Sequence, residues 1–152
     1  MIQLKLYTSC DCSEILTLFY DTVHTVNQAD YTKSQLDAWA PQNADLHTWD
    51  EKLKTMYTLL AVKDNHLAGF GSITPEGYLD LLYVHKDHQG EGIGTQLCHA
   101  LEQWAEKQGA REYTVHASIT AKPFFESQGY TVKQQQTVTR RGETLTNFIM
   151  EK

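Results

Sequence analysis

Basic residues are scarce in this 152-residue chain: 13 Lys and Arg stand against 19 Asp and Glu, a formal charge of −6. Nucleic-acid binders gather Lys and Arg on one face, so neither DNA nor RNA is an expected partner. An acidic surface is mildly favourable to a cationic ligand. Long apolar runs are also missing. A membrane span needs about 20 consecutive apolar residues, and "MIQLKLYTSCDCSE" at the N-terminus has the makings of neither a secretory signal nor an anchor. No membrane partner is expected. The three cysteines, Cys10, Cys12 and Cys98, are too few and too oddly spaced for a disulfide framework or a zinc ligand set. A reduced, cytoplasmic chain without a metal is the expectation. Repeats, low-complexity tracts and linkers rich in Pro, Gly or Ser are absent as well, so residues 1–152 read as one domain.

What is present alternates between two textures. "IQLKLY" alternates apolar and polar side chains as a strand does. Asp11 with Glu14 has the capping-box pattern, followed by Ile15, Leu16, Phe19, Tyr20 and Val23 at helical spacing. Thr32 with Gln35 repeats the box before "LDAWA", which Pro41 stops, and Thr48 with Glu51 suggests one short helical turn more. "MYTLLAVKD", "HLAGFGSIT" and "YLDLLYVHK" predict an antiparallel meander. "IGTQLCHALEQWAEKQG" puts Ile93, Leu97, Leu101, Trp104 and Ala105 on one helical face, with Gly109 as the stop. "REYTVHAS" predicts a strand, "AKPFFESQ" a short helix, and the last two strands a hairpin around "RRG". The order β-α-α-βββ-α-β-α-ββ is that of an α/β (α+β) domain, a mostly antiparallel mixed sheet with helices on both faces.

Three glycines, Gly90, Gly92 and Gly94, fall between the third strand of the meander and the long helix. Glycine admits left-handed backbone and lets a ligand approach the main chain. The first turn of a helix leaves about four N–H groups unpaired, and its dipole favours an anion. A diphosphate therefore fits such a loop without Lys or Arg. The plainer alternative is a tight, closely packed turn. A Walker loop is excluded because "GIGTQ" lacks the lysine, and a dinucleotide fingerprint because Leu97 stands where its last glycine belongs.

Gln89-Gly90-Glu91-Gly92-Ile93-Gly94 resembles the acetyl-coenzyme A signature of the GNAT superfamily of N-acetyltransferases, and "KPFFESQGY" resembles a second block of that family some thirty residues on. The element order is similar too, so the likeness spans the chain. It implies acetyl-CoA as co-substrate and an amine as acceptor. The main chain of Leu82, Tyr83 and Val84 is then expected against the pantetheine arm. The loop from Gln89 through Gly90, Glu91, Gly92, Ile93, Gly94 and Thr95 is expected at the diphosphate, with Ser118 and Phe125 also beside the cofactor. Glu91 departs from the basic residue many members carry, and is expected to point to solvent. Homodimers paired through edge strands also occur in the superfamily.

Transfer to an amine needs a neutral nucleophile, a polarised carbonyl and a proton for the departing thiolate. The family often supplies that proton from a Tyr four residues before the Gly of the second block; here Phe125 holds the position. Phe125 favours a second reading, a non-catalytic acyl-CoA-binding sensor or interaction module. Asp80 shares the parity of Leu82 and Val84 on an otherwise apolar strand face, which makes it the first candidate base; the plainer alternative is an Asp at a strand bulge. His116 on the fifth strand is the second, histidine being the side chain that changes charge near neutrality, against a buried and satisfied core histidine. Tyr83 and Tyr113 are reserve acids. Tyr31, Trp39 and Trp49 supply bulky aromatics for an acceptor pocket, either by cation–π contact or as a small core of their own.

Overall fold

The computed structural model describes residues 1–152. In chain order the elements are β1 (Ile2–Leu6), α1 (Cys12–Val26), α2 (Lys33–Trp39), α3 (Leu46–Thr55), β2 (Tyr57–Lys63), β3 (His66–Ile73), β4 (Tyr78–Val84), α4 (Ile93–Lys107), β5 (Thr114–Ser118), α5 (Lys122–Ser127), β6 (Thr131–Arg140) and β7 (Glu143–Glu151). The strands form one seven-stranded sheet in the order β1-β2-β3-β4-β5-β7-β6. Every neighbouring pair is antiparallel except β4 with β5. No helix is long and apolar enough to cross a membrane.

Apolar side chains leave the sheet on both faces and make two cores. On one face, Leu59, Leu79 and Val115 pack with Ile93, Leu97 and Leu101 of α4 and with Phe125 of α5. On the other, Leu60, Phe70 and Leu81 pack with Ile15, Leu18 and Phe19 of α1 and with Leu36 and Leu53 of the next two helices. Burying one such leucine or phenylalanine contributes about 1.5–3 kcal/mol. Trp104, expected on the packed face of α4, lies at its border, stacked on Tyr57 with ring centroids 4.4 Å apart.

Two helix starts differ from the expected ones. Asp11 precedes α1 without capping it through its side chain; its carboxylate instead accepts from the Thr8 N–H, closing a box around the single 3-10 turn Ser9–Asp11. The third helix begins before Thr48 and runs ten residues, because Asp45 is its cap and accepts from the His47 N–H at 3.3 Å. The Thr32–Gln35 box stands as expected: the Gln35 N–H donates to the Thr32 hydroxyl, and the Thr32 N–H to Gln35 Oε1.

The long helix sits unusually close to the sheet. An ideal Cβ on Gly69 would lie 3.1 Å from Ile93 Cγ2, and one on Gly71 would lie 2.8 Å from Leu101 Cδ1 and 3.0 Å from the Leu81 carbonyl. Bare backbone at these two positions of β3 lets α4 lie against the strand. Farther along, Glu102 is buried and compensated by the Tyr130 hydroxyl at 2.6 Å, the Lys152 ammonium at 3.0 Å and the Cys98 thiol at 3.5 Å. Burial, with that carboxylate alongside, pushes the Cys98 thiol up to about 12, which suits the core role its position suggests. Overpacking a close contact of this kind costs about 1–3 kcal/mol. Gly71→Ala is therefore expected to lower the urea midpoint at unchanged m-value; an unaltered midpoint would show that α4 has room to spare.

Candidate active site

The parallel pair creates the cleft. β4 and β5 are joined only at Tyr78–Thr114 and Leu79–Val115, after which β4 continues beside β3 and β5 beside β7. The parting coincides with an irregularity in β4. Ser72 opposes Leu81 but Ile73 opposes Leu79, so Asp80 is an extra, bulged residue. The bulge breaks the expected parity: Leu79 and Leu82 both reach the α4 core, while Leu81 and Tyr83 reach the α1 core. Asp80 thus does not share a face with Leu82 and Val84 as simple alternation requires. It sits at the fork with its carboxylate 3.2 Å from the Lys52 ammonium.

Beyond the fork, register decides which main-chain groups are free. The His85 N–H donates to the Ala68 carbonyl at 2.8 Å, so the closely bonded pairs fall at every second residue, His85, Tyr83 and Leu81. The main chain of Tyr83 is committed to Phe70, correcting the expectation that it faces the cofactor; Leu82 and Val84 turn theirs to the cleft. The Val84 carbonyl already accepts from Gln89 Nε2 at 2.7 Å and from the Thr22 hydroxyl at 3.2 Å. Gln89 therefore ties the loop to the strand end.

Gly90 and Gly92 have φ of +76° and +82°, in open space, so glycine is required there by conformation and not by crowding. The first bond of α4 is Gln96 N–H to the Gly92 carbonyl, and the main-chain N–H groups from Gly90 to Thr95 have no protein partner. Unpaired N–H groups at a helix start have the chemistry that suits an anion such as a diphosphate. The side chain of Ile93 is in the core, so that residue offers only its N–H. Glu91 turns out of the cleft to the Lys63 ammonium at 2.6 Å and the His88 ring at 3.3 Å. The Lys63 contact holds its carboxyl below the usual range. Its charge is neutralised where solvent alone was expected to receive it.

Two cavities flank the fork, of about 380 Å³ along the loop and about 640 Å³ under the N-terminal helices. The same five residues, Trp39, Asp80, Tyr83, His116 and Ser118, border both. Residues singled out for catalysis from the sequence thus meet where the two spaces join. His116 is exposed, with its ring 5.2 Å from Tyr78, so it is not the buried core histidine of the plainer reading. Tyr83 lies between Phe19 and Phe70, and burial raises its phenol well above the usual range, opposed by the adjacent Trp39 side chain. Burial, with Asp80 beside it, pushes the Tyr78 phenol up to about 12. Ser118 accepts from the Ala121 N–H at 3.0 Å.

The narrower cavity contains Leu82, Val84, Gln89, Gly90, Gly92 and Gly94, and Thr95 beside them. Phe125 also borders it, but its ring is buried against Tyr130; Phe124, unnoticed in the sequence, lies against Gly94 instead. The wider cavity takes Tyr31, Trp39 and Trp49. The Tyr31 hydroxyl is spoken for, donating to the Thr146 carbonyl at 2.7 Å and accepting from the Ile119 N–H at 2.9 Å. Tyr113 lies elsewhere, its hydroxyl donating to the Glu102 carbonyl. Sequence reasoning also missed Thr22, Lys52, Tyr78, Asn147 and the two arginines of the last hairpin, which only tertiary pairing brings to the cleft.

Known proteins share the sequence family and the fold. Residues 27–152 match the acetyltransferase (GNAT) domain family. Escherichia coli (strain K12) YafP, called an uncharacterized N-acetyltransferase, is 34% identical over 149 residues, covering 98% of this chain and 94% of its own. The crystal structure of a GCN5-related N-acetyltransferase from Rhodopseudomonas palustris superposes with a TM-score of 0.96 at 35% identity, covering 99% of this chain and 94% of that one. PaiA N-acetyltransferase from Thermoplasma acidophilum, solved in complex with coenzyme A, has the same fold at 18% identity, with a TM-score of 0.83 and coverage of 100% and 98%.

A β-branched residue forced into the left-handed region costs about 1–2 kcal/mol and displaces the N–H groups around it. Gly92→Val is thus expected to weaken calorimetric titration with coenzyme A, the probe for a diphosphate ligand, by tenfold or more. Equal affinity in parent and variant would remove the loop from the anion site.

Proposed function

The chain belongs to the GNAT acetyltransferase family, and from that premise we propose that it moves acetyl from acetyl-CoA to a primary amine by direct attack, with both substrates bound together. The observation that carries this reading is the meeting of two cavities at Asp80, Tyr83 and His116. Acetyl-CoA supplies the activated acetyl group. The N–H groups from Gly90 to Thr95 hold its diphosphate, and the cleft-facing main chain of Leu82 and Val84 lies along the pantetheine arm. Gln89 keeps that loop in place, and Ser118, Phe124 and Phe125 form the opposite wall.

The amine enters from the wider cavity between Trp39 and Trp49, whose faces attract an ammonium by about 0.5–2 kcal/mol. Asp80, whose carboxylate is already paired with Lys52, acts as the anchor that draws the ammonium to the fork. His116, exposed and without a hydrogen-bonding partner in the protein, takes the proton and leaves the amine nucleophilic. Tyr83 holds its proton more tightly than a thiol of pKa about 8.5. It lends a hydrogen bond at the junction, and water protonates the sulfur in place of the tyrosine that Phe125 replaces.

General-base catalysis contributes about 10²–10⁴-fold. His116→Ala is expected to lower kcat about a hundredfold, while calorimetric titration with acetyl-CoA persists. Asp80→Asn is expected to lower turnover tenfold or more at neutral pH, mainly through the amine's KM. Unchanged kinetics in both variants would remove the fork from the mechanism. Acetyl-CoA binding without turnover across a broad amine panel would leave the sensor reading that Phe125 favours.

A further inference from the structure

The wider cavity carries a charge pattern at odds with the rest of the chain. Three cations border it, Lys52, Arg140 and Arg141, against two carboxylates, Asp45 and Asp80. Both carboxylates are engaged: Asp80 by Lys52, and Asp45 by the His47 N–H and the Thr48 hydroxyl at the start of α3. The two guanidiniums are not matched in this way. Arg140 and Arg141 close the β6–β7 hairpin at the cavity's edge, and neither forms an ion pair, even though Glu143 is the cross-strand neighbour of Arg140. Arg140 donates from Nη1 to the Thr139 carbonyl at 3.2 Å, and Arg141 from Nη1 to the Ala38 carbonyl at 2.6 Å. Each fork keeps most of its five N–H donors, in the planar geometry that matches a carboxylate or phosphate. In a chain with a surplus of six acidic groups, two unpaired arginines on one cavity are the less expected arrangement.

A second polar group also lacks a partner, and it is an acceptor. Asn147 lies beside Ser118 across the β5–β7 ladder and borders this cavity, and its Oδ1 is buried without a hydrogen-bond partner. Buried polar atoms in native proteins nearly always have partners, so this one calls for a donor on a ligand, such as an ammonium or hydroxyl, beside the oxyanion that the arginines take. The cavity, of about 640 Å³, is of small-molecule size.

We propose that the acceptor is a small molecule carrying an oxyanion, carboxylate or phosphate, in addition to its amine. This rests on reading the wider cavity as the acceptor site. The oxyanion is taken by the Arg140 and Arg141 forks, the ammonium is drawn to Asp80, and Asn147 bonds a polar group near the fork. A polyamine, cationic along its length, meets two unpaired guanidiniums and is disfavoured.

The test uses the full-length protein with paired amines that differ only in the far end: pentylamine, 5-aminopentanoate, 5-aminopentyl phosphate and cadaverine. Thiol release from acetyl-CoA reads turnover, and quenching of Trp39 and Trp49 fluorescence in the coenzyme A-saturated protein reads binding without it. The expected result is that the anionic amines bind and react at least tenfold better than pentylamine, with cadaverine last. That ratio should collapse in Arg140→Gln and in the Arg140→Gln/Arg141→Lys double variant, which retains a cation at the Ala38 carbonyl. Comparison of the two anionic amines decides between carboxylate and phosphate. Equal binding of neutral and anionic amines, or a ratio untouched by both variants, overturns the proposal. Selective, arginine-dependent binding with no turnover of any amine would uphold oxyanion recognition in this cavity while sinking acetyl transfer; turnover of neutral amines with no arginine dependence would do the reverse.

Discussion

Where two neighbouring strands stop sharing hydrogen bonds, each leaves one edge of main-chain donors and acceptors without a protein partner. That constraint governs this molecule. The β4–β5 pair is bonded for two residues and then parts, and the break is placed by a single extra residue, Asp80. Backbone polar groups away from water need partners, so an open seam in the middle of a seven-stranded sheet leaves main-chain groups free for a ligand. The chain itself closes only the far end, through Gln89 and Thr22 on the Val84 carbonyl. A thioester-bearing arm of amides is the kind of partner that suits the remainder.

The seam matters only because the helix beyond it is aimed correctly. Gly69 and Gly71 let α4 press against β3, and Gly92, in the left-handed region, starts the helix where its unpaired N–H groups overlook the cleft. The same glycine-lined strand that stabilises the core thus fixes the distance between the anion cradle and the fork. Electrostatics is arranged to keep that cradle main-chain in character. Glu91 is neutralised by Lys63, and no arginine or lysine takes the place of the N–H groups.

Much of this was legible in the residues, for identifiable reasons. Helical and strand periodicities, the Thr32–Gln35 box and the glycines after "LYVHKDHQ" are local signals, and local signals survive into structure when tertiary packing agrees with them. The glycine loop and the block ending at Tyr130 also carry a family resemblance over nearly the whole chain, which alternation alone would not reveal. What could not be read was whatever depends on non-local pairing. Alternation alone put Asp80 on the wrong face; the plainer alternative, an Asp at a bulge, is what stands, and only the partner strand could decide between the two. Asp45 displaced Thr48 as the cap because the helix reaches back farther than its apolar spacing suggests. His116, Arg140 and Asn147 lie far apart in the chain, and only the β5–β7–β6 ladder brings them to one cavity.

That ladder divides the labour of the site. The wall holding the arginines is the terminal hairpin, whose outer strand bonds to nothing but its own partner. The donor side is built from β4 and α4, in the interior of the sheet. On the proposed reading, a longer, shorter or differently charged hairpin tip would leave β4 and α4 undisturbed. Selectivity for the acceptor would then be a detachable property of the fold, carried by an edge on which the acetyl-donating half does not lean.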